Sequence, residues 1–466
     1  MKKTFQTVSP IDNVVYLEKT YSHDNDIQQT LDKATKAQQE WKKTPVDERA
    51  EICLKAVDAI LEKKTELGEE ITRQMGRPIQ YSAGEISGFA ERARYMIGIA
   101  RKKLQDVPVN GIDGFKRFIQ REPLGIVFAM SPWNYPYLTA VNSIIPAIMA
   151  GNAVILKPSV QTPLTAERIQ EAFDAAQLSP GIFQYLFLDH EAAHKLIQND
   201  AINYVAFTGS VAAGRAVQHA AENRFIGLGL ELGGKDPAYV REDAVLETTV
   251  ANLVDGAYFN SGQSCCGIER IYVHQSIYTD FVERFCHLTQ QYSLGNPLDK
   301  NTTLGPMVSV QAAEHVRQQI KNAISAGAKA CIDSRLFDAD KAGSNYLSPQ
   351  VLIDVNHTMS VMRDESFGPV VGIMSVKSDE EAIALMNDSA FGLTASVWTN
   401  NEVAAMIIGE QVDTGTFFMN RCDYLDPALA WSGFKNSGRG CTLSEIGYEQ
   451  LTRPKSFHLR FLGLNQ

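Results

Sequence analysis

From residue 125 onward, short apolar runs alternate with helical segments, and this alternation constrains the fold more than any other feature of the chain. An apolar run over 125–130 precedes a helical pattern over 137–149, a second run covers 153–156, and another helical pattern begins near Thr165. Strands joined by helix-length connections pair in parallel, so the pattern predicts βαβ units around a parallel sheet. A second alternation comprises strands over 270–273, 369–374 and 393–399 and helices over 278–291 and 310–326. The expected fold class is α/β with two Rossmann-like lobes, hinged near 231–237. At 466 residues and 44% hydrophobic content, the chain has apolar surface enough for both cores.

The flanking segments have a different texture. Ile27, Leu31, Ala34 and Trp41, then Ile52, Ala56, Val57 and Ile60, fall at helical spacing in a polar background, so the first hundred residues are read as largely amphipathic helix. The stretch 107–125 carries Asn110-Gly111 and Asp113-Gly114 between alternating residues, a projecting hairpin. The tail 455–461 also alternates and is expected to pair with another strand edge.

A net charge of −10 repels phosphate backbones and anionic membranes, which argues against nucleic acid as a partner. No apolar h-region follows Met1-Lys2-Lys3, and no run of 18 apolar residues occurs, so neither export nor a membrane span is expected. Seven cysteines, irregularly spaced and odd in number, fit the reducing cytoplasm rather than a disulfide framework.

Several short stretches carry reactive side chains, each with a plain alternative. The strand-like Tyr204-Val205-Ala206-Phe207-Thr208 runs directly into Gly209-Ser210 and a helix over 212–223. Such a turn aims free amides and a positive helix end at one point, where a pyrophosphate can sit. Gly209 and Gly214 are five apart, so the G-x-G-x-x-G spacing is missing and an ordinary βα turn reads the same way. Lys157 puts a cation at the ligand-binding edge of a parallel sheet, or is a solvated lysine. Cys265, in Gly262-Gln263-Ser264-Cys265-Cys266, is a thiolate nucleophile in an amide-rich turn or an inert free cysteine. Glu231, before Leu232-Gly233-Gly234-Lys235, is a general base or a solvated carboxylate. Asn134, in Pro132-Trp133-Asn134-Tyr135-Pro136, polarises a carbonyl or caps a helix.

In order and spacing, these stretches, with Glu365-Ser366-Phe367-Gly368-Pro369, Leu304-Gly305-Pro306-Met307 and Gly433-Phe434-Lys435-Asn436-Ser437-Gly438, resemble the aldehyde dehydrogenase superfamily along essentially the whole chain. Within it, the short chain and its Gly438-Arg439-Gly440 end look most like bacterial succinate-semialdehyde-type and related members. The resemblance implies NAD- or NADP-dependent oxidation of a small-molecule aldehyde. Cys265 matches the family's nucleophile, Glu231 its deacylating base, and Asn134, with the Cys265 backbone N–H, its oxyanion donors. It likewise implies a cofactor groove in which Lys157 takes the adenosine ribose, Ser210 the pyrophosphate and Glu365 the nicotinamide ribose. Phe367 lies beside the ring in that picture, Gly209 and Gly233 allow close backbone approach, and Trp133, Ser159 and Leu232 complete the groove.

Two positions depart from the pattern. Many NAD-dependent members place a glutamate three residues after the lysine, whereas this chain has Val160, which does not repel a 2′-phosphate; NADP use is therefore expected. Succinate-semialdehyde members commonly place an arginine eight residues after the asparagine, and here that residue is Asn142. Arg421 or another loop residue is the candidate replacement cation, while Tyr135, Tyr137, Phe259 and Tyr424 suit an apolar or aromatic aldehyde.

The implied organisation assigns 1–106 and 124–235 to a cofactor-binding domain and 236–432 to a catalytic domain. Residues 107–123 and 453–466 form an oligomerisation hairpin and tail of a homodimer or homotetramer. The rival readings are a succinate-semialdehyde dehydrogenase specifically, a CoA-acylating semialdehyde dehydrogenase, which generally lacks the base, and a catalytically silent protein on the same fold.

Overall fold

The structure is a computed structural model that describes residues 3–462; the end of the expected oligomerisation tail, 463–466, lies outside the described residues. Six strands form the first sheet in the order Gly438–Arg439, Gly227–Glu231, Ile202–Thr208, Ile126–Met130, Ala153–Lys157, Phe183–Tyr185. Neighbours run parallel except Gly438–Arg439, which is antiparallel to Gly227–Glu231. Ile126–Met130 is buried along its whole length because helices cover both faces of the sheet. Alternate side chains enter different cores: Val127 and Ala129 meet Ile144 and Ile148, while Ile126 and Phe128 meet Leu31 and Leu196.

The second sheet has seven strands, in the order Lys329–Ala330, Gln350–Ile353, Val370–Val376, Ile268–His274, Asp236–Val240, Thr394–Trp398, Thr416–Met419, parallel except at Lys329–Ala330. The chain crosses from one sheet to the other between Glu231 and Asp236, inside the stretch read as the hinge. The structure therefore has the expected α/β class, and the strands over 125–130, 153–156, 270–273, 369–374 and 393–399 are where the alternation put them, within two residues at each end.

In the first sheet the chain leaves Ile126–Met130 for Ala153–Lys157 on one side and later returns to Ile202–Thr208 on the other. The two strands stay paired to their C-terminal ends, and at this switch point the connections leaving those ends go to opposite sides, which opens a crevice. The loops carrying Asn134 and Gly209-Ser210 leave from those two ends.

Two features went unread in the sequence. Thr4–Val8 and Val15–Thr20 form an antiparallel hairpin ahead of the four helices that span Asp24–Lys103. Only Phe5 and Thr7 of its strands are buried, so it has no apolar face to announce it. Residues 433–452 fall outside both lobes as read from sequence, yet they supply the strand Gly438–Arg439 and the turn Ile446–Leu451 that packs on the helix Pro136–Met149.

The third sheet is antiparallel, with Phe115–Pro123 between Val107–Pro108 and Thr452–Arg460. Phe118 and Phe457 stack across it with centroids 4.7 Å apart. The outer edge of Thr452–Arg460 has no neighbour among the described residues.

Candidate active site

Cys265 follows a tight knot of backbone. Helix Leu246–Tyr258 ends and Asn260, Ser261 and Gly262 adopt left-handed φ values of 54°, 59° and 69° in succession. Side chains pin this costly conformation. Ser261 Oγ donates to Gly305 O at 2.9 Å, Gln263 Nε2 donates to Asn260 O at 3.1 Å, and Gln263 Oε1 accepts from Val308 N at 2.8 Å. A Cβ on Gly262 would lie 2.3 Å from Gly368 O, so only glycine lets this loop meet the one carrying Glu365 and Phe367.

The two adjacent cysteines have different fates. Cys265 is half-buried, and lines two cavities. Cys266 is buried, its Sγ donates to Asp423 Oδ1 at 3.0 Å, and its hydrogen bond with Cys265 together with burial holds its thiol well above the usual range. Asp423 is itself pushed up to about 7 by burial. All seven cysteines are unpaired thiols.

Glu231 ends its strand half-buried, its carboxylate hydrogen-bonded rather than free in solvent. Its Oε2 accepts from Thr208 Oγ1 at 3.1 Å and its Oε1 from Thr442 Oγ1 at 2.5 Å. Burial raises its pKa above the ordinary carboxylate range despite both hydrogen bonds. Neither threonine was singled out from sequence. Thr208 sits inside a recognised stretch, and Thr442 is brought back by the strand Gly438–Arg439.

Asn134 is buried, and its Nδ2 donates to Gln263 O at 3.1 Å, two residues before Cys265. An unforeseen residue fixes it. Arg77, 2% exposed, donates through Nη2 to Asn134 O, through Nη1 to Glu85 and through Nε to Asn260 Oδ1 at 3.1 Å. Glu85 Oε1 in turn accepts from the N–H groups of Tyr137 and Leu138 at 2.8 and 3.2 Å, capping the helix that follows Asn134. Nothing in the spacing of Arg77 or Glu85 marks this role, because the contacts join segments 57 and 52 residues apart.

The two cavities share Thr139, Thr208, Glu231 and Cys265. The first, about 210 Å³, is walled by Tyr135, Phe259, Tyr424, Leu138 and Trp431, with Arg92, Asn142 and Asp423 also reaching it. Two expectations fail here. Tyr137 is buried against Phe89 instead of lining this cavity, because its place on the helix Pro136–Met149 turns it to the opposite side. Arg421 lies over the Tyr424 ring at 3.6 Å and is absent from the cavity wall.

The second cavity, about 280 Å³, brings together Trp133, Asn134, Gly209, Ser210, Leu232, Gly233, Glu365 and Phe367 with Cys265 and Glu231. Trp133 and Phe367 meet edge to face, 5.6 Å apart. Ser210 caps the helix Val211–Ala220 by accepting from Ala213 N, which leaves the first amides of the helix without intrahelical partners. A Cβ on Gly209 would strike the Phe207 ring, and one on Gly233 would strike the Glu365 carboxylate 2.2 Å away. Glu365 Oε1 accepts from Gly234 N at 3.0 Å, and burial with the nearby Glu269 pushes its carboxyl up to about 7. Glu269 also accepts from the N–H groups of Ser366 and Phe367, which holds this loop in place.

Lys157, Ser159 and Val160 stand apart from that cluster, past the end of Ala153–Lys157, one strand beyond Ile126–Met130. Burial lowers the Lys157 pKa, and its Nζ reaches only Pro158 O, at 3.4 Å. Val160 is 41% exposed and its carbonyl accepts from Thr7 Oγ1 at 2.7 Å, a tether from the unforeseen N-terminal hairpin. No helix among the described residues is long and apolar enough to cross a membrane, and none of their acidic, His or Cys side chains cluster as metal ligands.

The chain is similar to known proteins along nearly its whole length. A family model described as the aldehyde dehydrogenase family matches residues 1–457. A succinate semialdehyde dehydrogenase [NAD(P)+] of Escherichia coli K12 is 32% identical over 426 residues, 91% of each chain. The solved NAD-dependent aldehyde dehydrogenase of Sinorhizobium meliloti superposes with a TM-score of 0.94 at 31% identity, covering 98% of this chain and 92% of that one. The succinic semialdehyde dehydrogenase of Streptococcus pyogenes, solved with NADP+, gives 0.93 at 27% identity, covering 98% and 100%.

Proposed function

The chain belongs to the aldehyde dehydrogenase family, NAD(P)-dependent oxidoreductases that act on aldehydes, and from that premise we propose that Cys265 is its nucleophile and Glu231 the base that hydrolyses the resulting thioester. The observation that carries this reading is the shared wall: among the described residues, Cys265 and Glu231 are the only thiol and carboxylate that border both cavities.

An aldehyde entering the first cavity meets the Cys265 sulfur, which adds to the carbonyl carbon as thiolate. The oxygen of the tetrahedral adduct gains charge, and the Asn134 amide and the Cys265 N–H are the donors within reach of it. The second cavity fits a dinucleotide: the free amides behind Ser210 suit a pyrophosphate, Glu365 above Gly233 suits ribose hydroxyls, and Trp133 and Phe367 flank a flat ring. A nicotinamide held there would supply the acceptor for the hydride that must leave the adduct carbon if a thioester is to remain on Cys265. Glu231 then takes a proton from water as it attacks that thioester, releasing the carboxylic acid and the thiol. Its raised pKa makes it a stronger base than a solvated glutamate, and Thr208 and Thr442 orient it.

The test is absorbance of the reduced nicotinamide when protein, NAD or NADP and an aldehyde panel are mixed, with and without CoA. Turnover without CoA is expected. Strict dependence on CoA would replace hydrolysis by acyl transfer.

Cofactor choice follows from the end of the Ala153–Lys157 strand. Val160 offers no carboxylate to the two ribose hydroxyls and none to repel a 2′-phosphate, which leaves Lys157 and Ser159 to face it. NADP should be used at a rate comparable to or above NAD. Val160→Glu should move the ratio of kcat/KM values towards NAD by about tenfold or more, roughly 1.4 kcal/mol for one charge-assisted contact. Steady-state kinetics with both cofactors decides it, and a wild type that ignores NADP or a ratio that stays put would refute the argument.

The exposed edge of Thr452–Arg460 bears on assembly. An uncovered nine-residue strand edge invites a second chain, so the protein is read as a homodimer or dimer of dimers. Removing residues 455–466 should shift the mass in light scattering towards monomer; an unchanged mass would take this strand out of the interface.

A further inference from the structure

Asp423 is an ionisable group on the wall of the first cavity that the chemistry above leaves unused. It sits in the loop after Thr416–Met419, the outer strand of the second sheet, at a left-handed φ of 50°. Aspartate enters that region more readily than most side chains, but the surroundings must hold it there. The loop is anchored just upstream, where Asn420 Nδ2 donates to Thr399 O at 2.8 Å and Asn420 Oδ1 accepts from Thr399 N at 3.0 Å.

The carboxylate meets the turn that carries the nucleophile. Residues Ser264 to Gly267 form this turn, closed by Gly267 N donating to Ser264 O at 3.3 Å. One oxygen, Asp423 Oδ1, accepts from Ser264 Oγ at 3.3 Å and from Cys266 Sγ at 3.0 Å, the residues on either side of Cys265. Ser264 and Cys266 are buried, whereas the half-buried Cys265 between them borders both cavities. Upstream, Gln263 O is held by Asn134 Nδ2; downstream, the chain enters the strand Ile268–His274. The turn is the span left between these two restraints, and two side-chain bonds to a common atom on another element fix it.

We propose, resting on the Cys265 reading, that Asp423 is a positioning residue for the nucleophile: by gripping Ser264 and Cys266 it clamps the turn between them, and with it both the Cys265 sulfur and the Cys265 N–H assigned above as an oxyanion donor. Burial pushes the Asp423 carboxyl up to about 7, so the position supplies an acceptor oxygen at a fixed place more than a full charge. Asparagine offers the same oxygen and tolerates the same φ; alanine offers neither.

The test compares stopped-flow bursts of reduced nicotinamide in Asp423→Ala and Asp423→Asn. Asp423→Ala should slow the burst about a hundredfold, with aldehyde KM and dinucleotide affinity within about threefold of wild type, because the reacting atoms are misplaced rather than the ligands lost. Asp423→Asn should restore the burst to within about fivefold of wild type. An alanine variant with a wild-type burst would overturn the proposal. An asparagine variant as slow as the alanine one would overturn it too, since the charge and not the clamp would then be the agent. The double variant Ser264→Ala/Cys266→Ala removes both donors without touching Asp423, whereas either single change leaves one bond in place. It should reproduce most of the alanine loss, adding Asp423→Ala to it should cost no more than about threefold further, and it stands in if Asp423→Ala fails to fold. A double variant with a wild-type burst would refute the clamp.

Alkylation by iodoacetamide, mapped by mass spectrometry, reads the turn without turnover. In the wild type Cys265 should react at least about tenfold faster than Cys266, and Asp423→Asn should keep that ratio. In Asp423→Ala the released Cys266 should come within about threefold of Cys265. An unchanged ratio in Asp423→Ala would refute the clamp, whatever Cys265→Ala shows about the nucleophile.

Discussion

Cys265→Ala should abolish aldehyde oxidation, a loss of about 10⁴-fold or more in kcat, while the dinucleotide binds with nearly unchanged affinity. The size follows from the role, because without the sulfur no covalent adduct forms and the other groups have nothing to stabilise. The neighbouring thiol cannot substitute. Cys266 is buried, donates to Asp423, and holds its proton far above the usual thiol range. Cys266→Ala should therefore keep most activity. Steady-state rates with both variants and calorimetric titration of the dinucleotide check the pair, and an active Cys265→Ala beside a dead Cys266→Ala would reverse the assignment.

Glu231→Gln should separate the two halves of the reaction. Acylation does not use the base, so stopped-flow mixing should show a burst of about one reduced nicotinamide per site, followed by turnover slowed about 10²- to 10⁴-fold as deacylation becomes limiting. Loss of the burst itself would give Glu231 a role in activating Cys265 instead. In the wild type the base must be ionised to act, and burial raises its pKa. The deacylation rate should thus climb with pH through a midpoint above that of a free glutamate, and Glu231→Gln should flatten that limb. A midpoint in the ordinary carboxylate range would mean that the carboxylate is solvated during turnover.

Much of this was legible before any coordinates, for a physical reason. The βαβ alternation is a local pattern, and burial on both faces writes it as continuous apolar runs such as Ile126–Met130. Cys265, Glu231, Asn134 and Glu365 were singled out because the order and spacing of the short motifs around them resemble a known family, and such motifs keep small residues where close contacts force them; the φ of 69° at Gly262 and its approach to Gly368 are an instance. The partners that tune them were not. Thr442, Arg77 and Glu85 act through contacts between segments far apart in sequence, and none lies at a spacing that singles it out. Tyr137 and Arg421 were misplaced for the opposite reason: residue type suited them to the cavity, but helix phase turned one inward and the Tyr424 ring holds the other. The N-terminal hairpin escaped notice because both its strands are mostly solvated.

The edge strand Gly438–Arg439 has a bearing on when a growing chain becomes competent. The Gly227–Glu231 strand gains its outer neighbour, and Glu231 its Thr442 partner 211 residues away, only after nearly the whole polypeptide has been synthesised. Contacts of such separation are slow to close and are made last. A nascent chain can already bury the inner strands of the first sheet and display Cys265, yet its base lacks one of the two threonines that orient it. Ribosome-bound or prematurely terminated chains are thus left without an aligned deacylating group. On the proposed roles, an aldehyde that acylated such a chain would stay bound as its thioester, so turnover would wait for the last residues of the first sheet.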